Sequence, residues 1–346
     1  MKEGLLTYEF TDEHLNIGDY VQSIAAKQFL SSQYERTYID REHLNSYQGD
    51  ELALIMNGWF MMTPQNFPPS KKIKPILVSH HINVSVQEYF ANNPEIIAFY
   101  KANEPIGCRD YFTLDFIKSL GVDAYYTGCL TLTLGNTFQT EEKSNKVYFV
   151  DPRYKKHKGF WNKLKTLLIG ITKFNTINTI RSKFKKENNW KSWYKTIEFY
   201  KSYSQIFTDE VLMNAEYIKH YIPASLFKNE DEIFAYGENL LRQYAKANFV
   251  VTARIHCALP SLSMGTPTIY VDIPDDHEVS DCRLNGIKEY FHVVQNRKGI
   301  LSSDLVKNGE KIGWNTSIQN KKDFIPVKEK IEKTVKEQLQ KIHESK

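Results

Sequence analysis

Short apolar runs that end in polar side chains recur along this chain. Between them, apolar residues fall three or four positions apart. The first pattern is that of a strand feeding a loop, the second that of a helix with one buried face. In the first half, LLTYEF (5–10), ELALIMNGWF (51–60) and KPILVSHHINVS (74–85) are the strand-like runs. NIGDYVQSIAAKQFL (16–30) predicts a turn and then a helix with Asp19 near its start; SVQEYFANN and NPEIIAFYKAN predict two more helices. EPIGCRDYFTLDFIKSLGVDAYYTG (104–128) reads as strand, helix stopped by Gly121, and strand. The polar, turn-rich stretch NTFQTEEKSN (136–145) is the expected linker, and KVYFVD opens a second series. That series continues through a basic helical section, YSQIFTD, a helix over Ala215–Tyr221 and a long helix near Glu230–Ala247. It then reaches NFVVTARIHCALPSLSMGTPTIYVDIP (248–274): strands at Phe249–Ala253 and Thr268–Ile273 around a helix at Cys257–Met264 that Gly265 stops. YFHVVQN is a further strand, and Val327–Lys341 a charged amphipathic helix. Repeated β–α–β grammar predicts the α/β class, with parallel sheets and ligands at the carboxyl ends of their strands. The expected units are two Rossmann-like domains facing a cleft, 1–140 and 141–320, and a C-terminal helix in 321–346.

Composition changes this picture little. At 346 residues, 41% hydrophobic and 25% charged, the chain has ample material for two cores. No run approaches the ~20 apolar residues of a membrane span, and the N-terminus does not read as a signal peptide, so a cytoplasmic protein is expected. Cys108, Cys129, Cys257 and Cys282 lie far apart with no C-x-x-C pair, which argues for free thiols rather than disulfides or zinc.

Charge changes it more. Residues 151–191 hold 12 Lys and Arg against two acids, whereas the whole chain carries only +4. Within that segment Trp161, Leu164, Leu168, Ile171, Phe174, Ile177, Ile180 and Phe184 recur at helical steps. The plainer reading is a domain helix with a solvated charged face; the sharper one is a helix lying on an anionic membrane surface. No helix-turn-helix or RNA-binding signature accompanies the charge, so nucleic acid is not an expected partner.

Candidate chemistry gathers at strand ends. Arg254 and His256 close the strand at 249–253 and, two residues apart, are expected to point to one spot. With the N-terminus of the following helix they make an anion site for a phosphate or carboxylate. An arginine in a structural ion pair and a histidine bonded to a carbonyl would look the same in sequence. Arg109 has the same placement in the first half, with Asp110 as a structural partner in the plainer reading. Asn16, Gly18 and Asp19 form an N-x-G-D turn in which Asp19 is either a helix cap or a general base. His80 and His81 end an apolar strand, and alternation lets at most one of them line a cleft. No metal-ligand spacing connects them to other residues, and no metal is expected.

Three blocks, Asn16–Asp19, GCRD…LGVDAYYTGCLTLTL (107–134) and VVTARIHCALPSLSMGTPTIYV (250–271), resemble the polysaccharide pyruvyl transferase family in order and spacing. NGWFMMTP…FPPSKKIKPILVSHHIN is similar to a subgroup found in bacterial capsule and exopolysaccharide clusters. The resemblance implies a GT-B-like pair of Rossmann-like domains. It also implies transfer of pyruvate from phosphoenolpyruvate to two sugar hydroxyls, giving a cyclic ketal and phosphate, with no cofactor. Carried over by position, Arg109, Arg254, His256, Arg283, Asn16 and Gly18 would bind phosphoenolpyruvate. His256 would be the general acid, Asp19 the base for a hydroxyl, and His80 and His81 the acceptor contacts. The acceptor would be a glycan, in the lipid-linked case carried on polyprenyl diphosphate at the inner face of the membrane. MNGWFMM, SHH and TGCLTL depart from the family pattern, which leaves the acceptor open. The alternative activity is that of a GT-B-like glycosyltransferase using a sugar nucleotide.

Overall fold

A computed structural model describes residues 1–8, 13–154, 159–184, 190–273, 284, 286–297, 300–306 and 309–344. It has a mixed α/β fold with parallel sheets flanked by helices. In the first half, strands Arg36–Asp40, Lys2–Thr7, Leu52–Ile55 and Ile73–Ile76 form one parallel sheet in that order. Gly58–Phe60, His80–Ile82, Ile106–Cys108 and Ala124–Tyr126 form a second. A backbone bond from Gly107 N to Leu77 O (2.9 Å) links the second sheet to the residue that follows Ile73–Ile76 of the first. The second half has a six-stranded sheet, ordered Glu216–Ile218, Val147–Val150, Phe249–Thr252, Thr268–Asp272, His292–Arg297 and Ile300–Ser303. Only its last strand is antiparallel. Val147–Val150 and Phe249–Thr252 are buried throughout, which is why they read as unbroken apolar runs rather than alternating ones.

The halves share a core. Helix Ile17–Lys27 lies against helix Glu230–Ala245, with Tyr20 edge-on to Phe234 at 5.4 Å and Lys27 paired to Glu238 at 2.8 Å. Ile24 Cδ1 sits so close to Gly237 that a Cβ there would meet it at 2.8 Å. Helix Ile325–Glu344 buries Ile331, Val335 and Leu339 in the same core and brings His343 within 3.1 Å of Glu3. The tail is therefore docked on the first strand.

Three expectations need correction. Ala215–Tyr221 is not a helix: the helix is Asp209–Asn214, capped by Thr208. Glu216–Ile218 adds to the edge of the large sheet, and Tyr221–Pro223 pairs antiparallel with His14–Asn16. Strand partners distant in sequence override the local apolar spacing. The basic section is not one helix but Phe160–Thr172, Phe174–Lys183 and Trp190–Tyr203, the first two breaking at Lys173. The start of the expected linker is pinned, with Gly135–Phe138 forming a helical turn in which Gly135 N donates to Ser263 Oγ at 2.7 Å. A Cβ on Gly135 would lie 2.1 Å from the Ser263 carbonyl oxygen. Gly135→Ala is therefore expected to lower stability by about 1–3 kcal/mol, since backbone must move to admit the methyl. A denaturant titration would show this as a lower midpoint at unchanged slope.

Candidate active site

A cavity of about 220 Å³ opens where the carboxyl ends of strands from both halves meet. Four arginines line it: Arg41, Arg109, Arg153 and Arg254. Each follows a parallel strand by one to three residues, after Asp40, Cys108, Val150 and Thr252 respectively. Asp19 is the one carboxylate in the described wall, so the cavity is strongly cationic.

Two of the arginines are held by a hydrogen bond from Nε, and a third has a carboxylate beside the same atom. Arg41 Nε donates to Glu42 Oε1 at 2.8 Å, and Arg254 Nε to Asp151 Oδ2 at 2.8 Å. Arg109 Nε lies 3.5 Å from Asp110 Oδ2. Tying Nε fixes the plane of a guanidinium while leaving its two terminal nitrogens to face a ligand. The anchors are themselves fixed. Glu42 Oε2 accepts from the backbone N–H of Met62 and Thr63 at 2.9 and 2.8 Å. Asp110 caps helix Tyr111–Ser119 through Thr113 N at 2.9 Å and lies 2.7 Å from His81 Nδ1. Burial pushes the Asp110 carboxyl up, but the His81 hydrogen bond and the charges of His81 and Arg109 outweigh it and hold the group below the ordinary carboxylate value. Arg41 is also stacked between Tyr8 and Trp59, at 4.9 and 4.7 Å from the ring centres. Its Nη1 is buried and meets no protein acceptor among the described residues. Such an atom fits an anionic ligand.

Two helices begin at the cavity. Helix Ile255–Ser263 starts two residues earlier than its sequence pattern suggests, so Arg254 is its N-cap and His256 lies in its first turn. Both side chains reach the cavity wall, but through the helix start rather than through strand alternation. Arg254 supplies no capping hydrogen bond, and the positive end of this helix faces the cavity. Helix Ile17–Lys27 begins opposite, capped by Asn16, whose Oδ1 accepts from Gly18 N at 3.1 Å. A Cβ on Gly18 would approach His256 Cβ and Nδ1 to 3.4 Å and Asn16 Oδ1 to 3.1 Å. Glycine thus allows the two helix starts to meet. Asp19 is held by Asn16 Nδ2 and Gln22 Nε2, each at 3.2 Å. Burial raises its pKa above the ordinary value despite Arg41, Arg109 and Arg254 nearby.

Of the residues singled out from sequence, Asn16, Gly18, Asp19, Arg109, Arg254 and His256 come together here. His80 and His81 do not. His80 is fully buried, bonded to Met56 O (3.2 Å) and Tyr100 Oη (3.0 Å), and burial pulls its pKa down to about 3. It is a core residue, and His81 is a support for Asp110 rather than a cavity contact. Arg283 lies outside the described residues. Sequence reasoning missed Arg41 and Arg153, although the strand-end rule that found Arg109 and Arg254 applies to both. It also missed His220, which burial holds near pKa 4 and which bonds Tyr244 Oη at 2.9 Å. No sequence signal marks His220; it reaches the wall because Tyr221 pairs with Asn16. Among the described residues, no cluster of three His, Cys, Asp or Glu is placed to hold a metal ion.

The polysaccharide pyruvyl transferase family profile matches residues 16–275. The chain belongs to that family. The match spans the cavity from the Asn16 cap to the strand after His256, and membership makes the protein a transferase of the class that pyruvylates polysaccharide. No curated protein matches the chain. Among solved structures, a functionally uncharacterized protein of Klebsiella pneumoniae subsp. pneumoniae NTUH-K2044 is similar, with a TM-score of 0.41 and 16% identity over 82% of this chain and 88% of that one.

The anchoring pattern is testable without substrate. Asp151→Asn adds positive charge to the site but loosens Arg254; Asp151 has φ +43°, a conformation asparagine tolerates. If net charge set affinity, the variant would bind inorganic phosphate or pyrophosphate more tightly. Positioning is expected to win, weakening binding roughly tenfold, the scale of one charge-assisted hydrogen bond. Titration calorimetry distinguishes the two signs.

Proposed function

We propose that the enzyme transfers pyruvate from phosphoenolpyruvate to two hydroxyls of a sugar in a bacterial capsule or exopolysaccharide precursor, releasing phosphate. The observation that carries this reading is the set of four arginines around a small cavity. Phosphoenolpyruvate bears a phosphate and a carboxylate on three carbons, so it needs several cations in little space. The two halves are read as a GT-B-like pair, with Arg41 and Arg109 from one and Arg153 and Arg254 from the other gripping the donor. A sugar nucleotide would need more room than ~220 Å³, since drug-sized ligands occupy pockets of roughly 300–1,000 Å³.

In this reading His256 protonates the methylene carbon of the bound enol, leaving an oxocarbenium-like centre that the arginines and the helix start surround. Asp19 takes the proton of the first attacking hydroxyl. The carbon–oxygen bond to phosphate breaks, the second hydroxyl attacks the same carbon, and the ketal closes. The two hydroxyl protons are accounted for by the new methyl group and the departing phosphate. Trp59 and Met62, at the rim, offer apolar contact to the sugar ring. A neighbouring cavity of about 290 Å³ shares Arg153 and Arg254 and is walled by Tyr154, Phe184, Tyr217 and Lys219, which suits the rest of a phosphorylated glycan.

Incubation with phosphoenolpyruvate and a panel of galactosyl and mannosyl acceptors should release phosphate and add one carboxyethylidene group. Stabilisation by nucleotide sugars but not by phosphoenolpyruvate would instead favour the glycosyltransferase. Arg254→Ala is expected to cut kcat/KM by about a hundredfold or more, as loss of a charged contact to the transition state does. For Asp19, the base must be ionised, so kcat/KM should fall as pH drops through its raised pKa. The acid limb is therefore expected above the ordinary carboxylate value, and to vanish in Asp19→Asn.

A further inference from the structure

Helix Phe160–Thr172 is inside out. Its two buried positions are small residues: Thr166 bonds Glu198, and a Cβ on Gly170 would press on Ile197 and Trp193 at 2.6 Å, with Ile169 only partly buried beside them. Phe160, Trp161, Leu164, Leu168 and Ile171 point the other way and are between 50% and 73% exposed. They form a stripe at steps of three and four, as a buried face would. Phe174 and Trp190 on the next two helices, also more than half exposed, extend it. Ile171, Phe174, Trp190 and Trp193 wall an open groove of about 590 Å³ with Arg181 at its edge. A monomeric protein rarely leaves so many adjacent large apolar side chains in water without a partner.

Charge selects the partner. Residues 160–184 contain no Asp or Glu. Lys163 and Lys165, both exposed, fall about 100° to either side of Leu164 on the helix. An apolar stripe carrying Trp and Phe, bordered by lysines and free of acids, matches the headgroup boundary of an anionic bilayer. A second copy of the chain would bring the same cations against one another with no carboxylate in the stripe to answer them. No helix among the described residues is long and apolar enough to cross a membrane, so the contact is with its surface.

We propose that this face docks on an anionic lipid surface, with the stripe at the headgroup boundary and the groove taking an acyl chain whose headgroup meets Arg181. The inference rests on this face alone and does not depend on the pyruvyl reaction.

The full chain should float with vesicles of phosphatidylcholine mixed with phosphatidylglycerol, and much less with phosphatidylcholine alone. Trp161→Glu with Leu168→Glu should abolish flotation at unchanged thermal midpoint and unchanged phosphate affinity of the catalytic cavity. Lys163→Gln with Lys165→Gln should weaken it roughly thirtyfold at low salt, from about 1 kcal/mol for each of the two cations. Failure to bind anionic vesicles would overturn the proposal, as would equal, salt-insensitive binding to neutral ones. A dimer in sedimentation velocity that the Glu variant dissolves, without vesicle binding by the parent, would assign the face to a second copy instead.

Discussion

Four guanidinium groups crowded around one small cavity repel one another, and much of the site's construction answers that repulsion. Glu42, Asp110 and Asp151 each take the Nε side of one arginine, behind the wall rather than in it. The carboxylates offset the charge of the assembly and set the direction of each fork, while the cavity itself stays cationic. Removing a partner from the buried Arg41–Glu42 or Arg109–Asp110 pair is costly, and those two anchors are correspondingly well fixed, by backbone N–H groups, a helix cap or His81.

The cavity exists only where the two halves meet. Ile17 N donates to His220 O at 2.8 Å, and the strand pairing beside it joins His14–Asn16 to Tyr221–Pro223. The contact of Gly18 with His256 completes the seam, so the start of one helix supports the start of the other. This places Asp19 and His256 on opposite sides of the seam, both lining the one cavity. Phe184, which walls the neighbouring cavity, closes the helix that follows the apolar stripe.

Much of the framework was legible from local pattern. The parallel strands at Phe249–Thr252 and Thr268–Asp272, the helix after Asn16 and the helix after Asp110 follow from apolar runs, Asx caps and stop glycines. So did the placement of Arg109 and Arg254, because a charge at the end of a buried strand has few other places to go. Arg41 and Arg153 obey the same rule; Arg36–Asp40 buries too little to read as a strand locally, and Arg153 lies three residues beyond Val150. His80 and His81 misled because a strand end does not say whether its side chains meet a cleft or a third element. Here Tyr100 and Asp110 cover them.

The basic segment shows the boundary most clearly. Helical spacing determined that residues 160–184 form amphipathic helix, since period and side-chain direction are local properties of the backbone. Which face would be buried was not a local property. It depended on Glu198, Trp193 and Ile197 arriving from the following helix to engage Thr166 and Gly170, leaving the apolar stripe outside. In the same way sequence pointed to two strand-end arginines, Arg109 and Arg254, and carried the same placement unread at Arg41 and Arg153. Only the packing of two halves against each other decided that they surround one space, because convergence is set by contacts between residues far apart in the chain.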